Sequence, residues 1–176
     1  MAIIVPLDSL IDGAADAYVG TVVNNLRDLA ASKMNTVPDN ITVRDMDLEE
    51  DISNTNEEWL WTVTSANAYN DQLGATFTVP TDKYFAFFGC HVLTNGSGLQ
   101  KIKWTQGGNT TDIWSLRQLQ AYDHPSCITR KPIVATSQTP LQFSIYGTVA
   151  QDEEIVFMCY TAEKRGRLIT EKSFGG

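Results

Sequence analysis

Two cysteines and two histidines lie close enough in the sequence to suggest a metal centre: Cys90-His91 and His124-Pro-Ser-Cys127. Two thiolates and two imidazoles make a tetrahedral zinc set. Neighbours on a strand point to opposite faces, however, so Cys90 and His91 would not normally reach one ion. The spacing favours buried thiols beside ordinary polar histidines, and no cofactor is expected. Cys159 makes the cysteine count odd, and no close CxxC pair occurs. That pattern fits reduced thiols in a protein assembled inside a cell.

The remaining candidates for chemistry reduce in the same way. Asp45, Asp47, Glu49, Glu50 and Asp51 crowd together. They lack the Asp-x-Asp-x-Asp-Gly loop that would shape a calcium site, so a solvated acidic face is expected. Asp152, Glu153 and Glu154 are consecutive. Consecutive carboxylates before a strand usually cap a hairpin, and the separated pair of a glycosidase is not identifiable among them. Ser97 sits in Asn-Gly-Ser-Gly, a hairpin turn and not a nucleophile elbow. No phosphate loop and no dinucleotide fingerprint occurs. The chain therefore reads as non-enzymatic. Trp59, Trp61, Trp104 and Trp114, with Tyr69, Tyr84, Tyr122 and Tyr146, offer material for a glycan platform. Core or intersubunit packing is the favoured use of such rings. A carbohydrate- or host-receptor-binding module is the alternative, and a cupin-like metalloprotein a further one. Glu163-Lys-Arg-Gly-Arg167 is a small basic spot in an acidic chain. It suits either a solvated turn or a carboxylate patch on a neighbour.

Three segments position these residues. In residues 1–33, apolar side chains recur at Leu7, Ile11, Ala14, Tyr18, Val22, Leu26 and Leu29, which is one face of a helix. Asp8 or Ser9 is placed to cap it, acids lead, and Arg27 and Lys33 trail, an order that suits the helix dipole. The stripe requires cover, either from the chain's own sandwich or from other subunits. On the second reading the partner contacts are Leu7, Ile11, Tyr18, Val22, Leu26 and Leu29, joined by Arg165 and Arg167. Residues 34–56 are rich in acids and turn formers and read as an extended connector, with a short strand possible at 41–43.

Residues 57–176 lose helical periodicity and alternate as strands, the all-β signature. Strand-like runs lie at 59–64, 75–79, 84–93, 99–104, 112–122, 141–146 and 154–161, and 166–170 is placed to close a sheet edge. Prolines 80, 125, 132 and 140 sit at run boundaries, where no ladder donor is needed. Two packed antiparallel sheets follow, so the fold class is mainly β: a jelly-roll-like antiparallel β-sandwich with an N-terminal α-helical arm.

The chain has 176 residues and a net charge of −8. That surplus repels phosphate backbones, so nucleic acid is not the expected partner. No apolar run approaches the roughly 20 residues of a membrane span, and the start lacks the basic region of a secretory signal.

The C-terminal two-thirds resembles the small jelly-roll proteins of tailed-phage and related virus particles. The likeness is carried by the apolar strand 84–93, the stretch Leu116-Arg-Gln-Leu-Gln-Ala-Tyr-Asp-His-Pro125, the pair Lys131-Pro-Ile-Val and Pro140-Leu-Gln-Phe-Ser-Ile, and Ala162-Glu-Lys-Arg-Gly-Arg-Leu-Ile. The resemblance implies a capsid decoration or minor capsid protein in the virion, assembled in the host cytoplasm. It implies binding to itself, with a trimer favoured, and to major capsid or other virion proteins. It brings no catalytic residues.

Overall fold

The computed structural model describes residues 4–6, 13–54, 58–94, 97–117 and 126–166. Within them ten strands form two antiparallel sheets. The first contains β1 (Ile4–Pro6), β8 (Ser126–Ala135), β5 (Tyr84–Val92), β10 (Asp152–Lys164) and β2 (Ile41–Asp45), in that order. β3 (Leu60–Thr62) also pairs with β10, ahead of β2 on the same edge. The second sheet runs β4 (Tyr69–Asp71), β9 (Leu141–Gly147), β6 (Leu99–Gln106), β7 (Asn109–Ser115). The eight strands β3 to β10 thus run 3-10-5-8 in one sheet and 4-9-6-7 in the other. That is jelly-roll connectivity, in which strands cross repeatedly between two sheets.

Alternation decides which side chains fill the space between the sheets. Trp61, Phe87, Trp104, Trp114, Phe143 and Phe157 all point inward. Phe157 stands at the centre, with ring centroids 5.0 Å from Phe143, 5.3 Å from Trp104, 5.9 Å from Phe87 and 6.1 Å from Trp61. Such inclined ring pairs, edge-on for Phe143, Trp104 and Phe87 and tilted for Trp61, add stability beyond the area they bury. The four tryptophans of the sequence are therefore mainly core: Trp61, Trp104 and Trp114 are buried, and Trp59 packs against them.

A second apolar layer lies on the outside of the first sheet. The helix α1 (Ala14–Lys33) buries Val22, Leu26, Ala30 and Ala31 against Tyr84, Ala86, Phe88, Ile128 and Ala162. Tyr18 packs edge-on against Phe88 and donates its hydroxyl hydrogen bond to the Thr129 carbonyl. Val22 and Leu26, expected as candidates for contact with other subunits, are instead covered by the chain's own sheet. The physical reason is plain: β5 presents Tyr84, Ala86 and Phe88 outward, and that apolar row needs the helix as much as the helix needs it. Leu29 is half-buried. The helix also starts later than its periodicity implied. Gly13 adopts φ +79° at its N-cap, which no continuous helix tolerates, and Leu7 and Ile11 lie outside the described residues.

Other expectations shift for local reasons. Residues 75–79 form no strand and hold only an isolated bridge, Thr78 to Pro140. β4, short and polar, was not anticipated. Residues 112–115 lie in β7, but Arg117 is already helical and 118–122 fall outside the described residues. Pro132 lies inside β8, not at its boundary. It is tolerated because the ladder to β5 jumps from Ile128 to Ile133, so the proline sits in a bulge that needs no donor. Gly89 faces that bulge. A Cβ there would stand 2.4 Å from the Cys127 carbonyl oxygen, so the close approach of β5 and β8 requires glycine.

Candidate interaction surface

The acidic segment proves to be structured. β2 is followed by α2 (Leu48–Ile52), whose N-cap Asp47 accepts from the Glu50 amide. Leu48 and Ile52 enter the sandwich core. The turn carries Asp51 inward to 0% exposure, where a solvated carboxylate was expected. Arg44 grips it with two bonds, Nη1–Oδ2 at 2.7 Å and Nη2–Oδ1 at 3.0 Å. Lys83 Nζ donates to Asp51 Oδ1 at 2.7 Å and to Glu50 Oε1 at 2.6 Å. Thr161 Oγ1 and the Asp47 amide complete the Asp51 shell. Arg44 Nε also donates to Glu163 Oε1 at 2.8 Å, which turns Glu163 inward and away from the basic spot that follows it.

Burial pushes the Asp51 carboxyl upward, but the hydrogen bonds from Arg44 and Lys83, and then those from Asp47 and Thr161, outweigh it. Asp51 is held below the usual carboxylate range. Burial opposes the charge on Lys83 as well, and its bonds to Asp51 and Glu50 overcome it and raise its pKa. Two cations against three carboxylates make a lock that joins β2, α2 and β10 to Lys83, the residue just before β5.

Cys90 and His91 separate as their alternation requires. Cys90 and Cys127 oppose each other across β5 and β8 inside the core, with Sγ atoms 3.7 Å apart. His91 lies on the other face, its Nδ1 2.5 Å from Ser126 Oγ. His124 lies outside the described residues. Among the described residues, no three of His, Cys, Asp and Glu gather in a way that could hold a metal ion. Cys159 is buried, and burial raises its thiol pKa strongly, with Asp51 and Asp45 adding to the effect. Arg165 is exposed; its amide donates to the Asn40 carbonyl, so this end of the basic spot leans on the chain itself. Arg167 lies outside the described residues.

A polar groove of about 440 Å³ opens between α2 and the strands β3 and β4. Its side chains are largely committed to each other. Gln72 donates to the Thr62 carbonyl and accepts from the Thr62 amide, imitating a neighbouring strand and blunting the edge of β3. Asn70 spends its amide on Ser65, Ala68 and Thr64.

The surface with most unspent chemistry is the outside of the second sheet, which no described helix covers in the way α1 covers the first. β6 turns Ile102 and Trp104 inward, which sends Lys101 and Lys103 outward. β4 and β9 present Tyr69 and Tyr146 beside them, with ring centroids 5.4 Å apart and planes at 65°. Lys103 Nζ lies 4.5 Å from the Tyr69 centroid, and Lys101 Nζ lies 5.4 Å from that of Tyr146. Each ring face stabilises the cation above it. Among the described residues neither lysine has a carboxylate within ion-pair distance. Sequence reading saw these tyrosines only as members of a general aromatic pool. The alternation of Lys101 and Lys103 with Ile102 and Trp104 was the signal that could have placed the lysines.

Comparison of the chain with protein-family models, curated proteins and solved structures returned no match.

Proposed function

We propose that this protein is a non-enzymatic structural component of a virus particle, a capsid decoration or minor capsid subunit that acts through contacts with itself and with major capsid or other virion proteins. The observation that carries the reading is the combination of jelly-roll connectivity with a sheet face that no described helix covers and that bears Tyr69, Tyr146, Lys101 and Lys103. A jelly roll supplies a rigid slab with two broad faces, and a structural subunit needs such faces for neighbours. The buried ion lock and the docked helix serve that rigidity. A trimer is the favoured assembly. Size-exclusion chromatography with light scattering on the full chain tests the proposal. A discrete oligomer supports it, and a monomer from low micromolar to sub-millimolar concentration refutes it.

Exposed Tyr69 and half-buried Tyr146 on the same face favour one second reading, binding of a glycan. The rings are inclined to each other and each carries a lysine, whereas a sugar platform uses open, roughly coplanar faces. Binding on a glycan array that is lost in Tyr69→Ala/Tyr146→Ala would favour this reading over the first.

A further inference from the structure

On the opposite side of the sandwich, the first sheet extends beyond the reach of α1. There Glu154 on β10 pairs with Leu60 on β3, while its carbonyl accepts from the Leu93 amide on the other flank. Alternation sends Ile155 and Phe157 into the core and Glu154 outward, with Leu60 and Leu93 beside it. Leu60 is 46% exposed and Leu93 50% exposed. Asp152 lies on the same face two residues earlier, its carboxylate accepting from Thr62 Oγ1 at 2.7 Å. Two large aliphatic side chains therefore frame a carboxylate that has no cation partner among the described residues.

We propose that copies of this chain associate head to tail, the Tyr69–Tyr146–Lys101–Lys103 face of one copy seated on the Leu60–Glu154–Leu93 row of the next. The inference rests on the assembly reading above and names its contact. The two surfaces are complementary in both respects that matter. Aliphatic side chains meet tyrosine rings, and carboxylates meet ammonium groups that have no acidic partner among the described residues. A twofold contact of either surface with itself would set lysines against lysines or carboxylates against carboxylates, which costs free energy. The contact is therefore heterologous. It closes into a ring if the rotation between copies closes, and otherwise extends as a stack. The contact opposes two lysines to two carboxylates at the surface, so the association weakens as salt rises.

The test uses the full-length chain and three variants: Lys101→Glu/Lys103→Glu, Asp152→Lys/Glu154→Lys, and the four substitutions combined. Mass is read by light scattering over a concentration series, with circular dichroism as the check on folding. Each two-residue reversal is expected to weaken association by about tenfold or more, and the combined variant to recover most of it. An oligomer that persists unchanged in both reversals overturns the inference and leaves the assembly reading standing. Reversals that weaken association without recovery in the combined variant also overturn it. A wild-type chain that stays monomeric throughout overturns both.

Discussion

Replacing Asp51 with Asn tests whether the buried ion lock holds β2 and α2 onto the sandwich. The substitution keeps the shape of the side chain and removes its charge. Arg44 would lose its two-point partner, and Lys83 would keep only Glu50 at 2.6 Å and the more distant Glu163 at 3.9 Å. Removing the carboxylate of a buried ion pair costs about 3–5 kcal/mol; Glu50 and Glu163 still face the two cations, but every group that binds Asp51 is a donor, and the Asn amide nitrogen cannot accept from any of them. For a chain of this size that is a fall in Tm of roughly 6–20 °C. Asp28→Asn, an exposed helix position, is the control and should change stability by less than about 0.5 kcal/mol. The pH dependence gives a second reading. Folded Asp51 holds its proton less readily than its ordinary value of 3.8, so on acidification the unfolded chain takes up the proton first. The contribution is present above that ordinary value and is lost as pH falls through the lower folded value. Urea unfolding between pH 7 and pH 2 should show wild type losing stability more steeply than Asp51→Asn below about pH 4. A variant within about 0.5 kcal/mol of wild type, with an unchanged acid limb, would refute the reasoning.

Further expectations follow from packing. Leu26→Ala removes the side chain at the centre of the helix–sheet contact and should cost about 2–5 kcal/mol in chemical denaturation. Phe157→Ala empties the middle of the aromatic core and should cost about 3–5 kcal/mol, with loss of near-ultraviolet dichroism from the tryptophans around it. Cys90, Cys127 and Cys159 are all buried, so a water-soluble thiol reagent should react slowly with native protein and rapidly with all three in denaturant.

Much of the sandwich was legible from the sequence because alternation is a local property. Tyr84–Val92, Leu99–Gln106, Leu141–Gly147 and Asp152–Lys164 each carry enough apolar or alternating residues to declare a strand without knowledge of their neighbours. The separation of Cys90 from His91 followed from the same two-residue period. β4 was illegible because Tyr-Asn-Asp has no apolar pattern; it exists because its register with β9 places Asp71 against Ser144 and Tyr69 against Tyr146.

The sequence by itself thus determined the class of the fold, the amphipathic helix and the acidity of the chain, since each is written in residue types and short spacings. Only tertiary structure decided what covers what. The helix stripe could face its own sheet or a neighbour until β5 presented Tyr84, Ala86 and Phe88 to it. The carboxylates at 45–51 were indistinguishable until α2 turned Asp51 toward Arg44, Lys83 and Thr161, partners 7, 32 and 110 residues away. Burial and ion pairing depend on groups brought together from distant parts of the chain, and no local pattern records them.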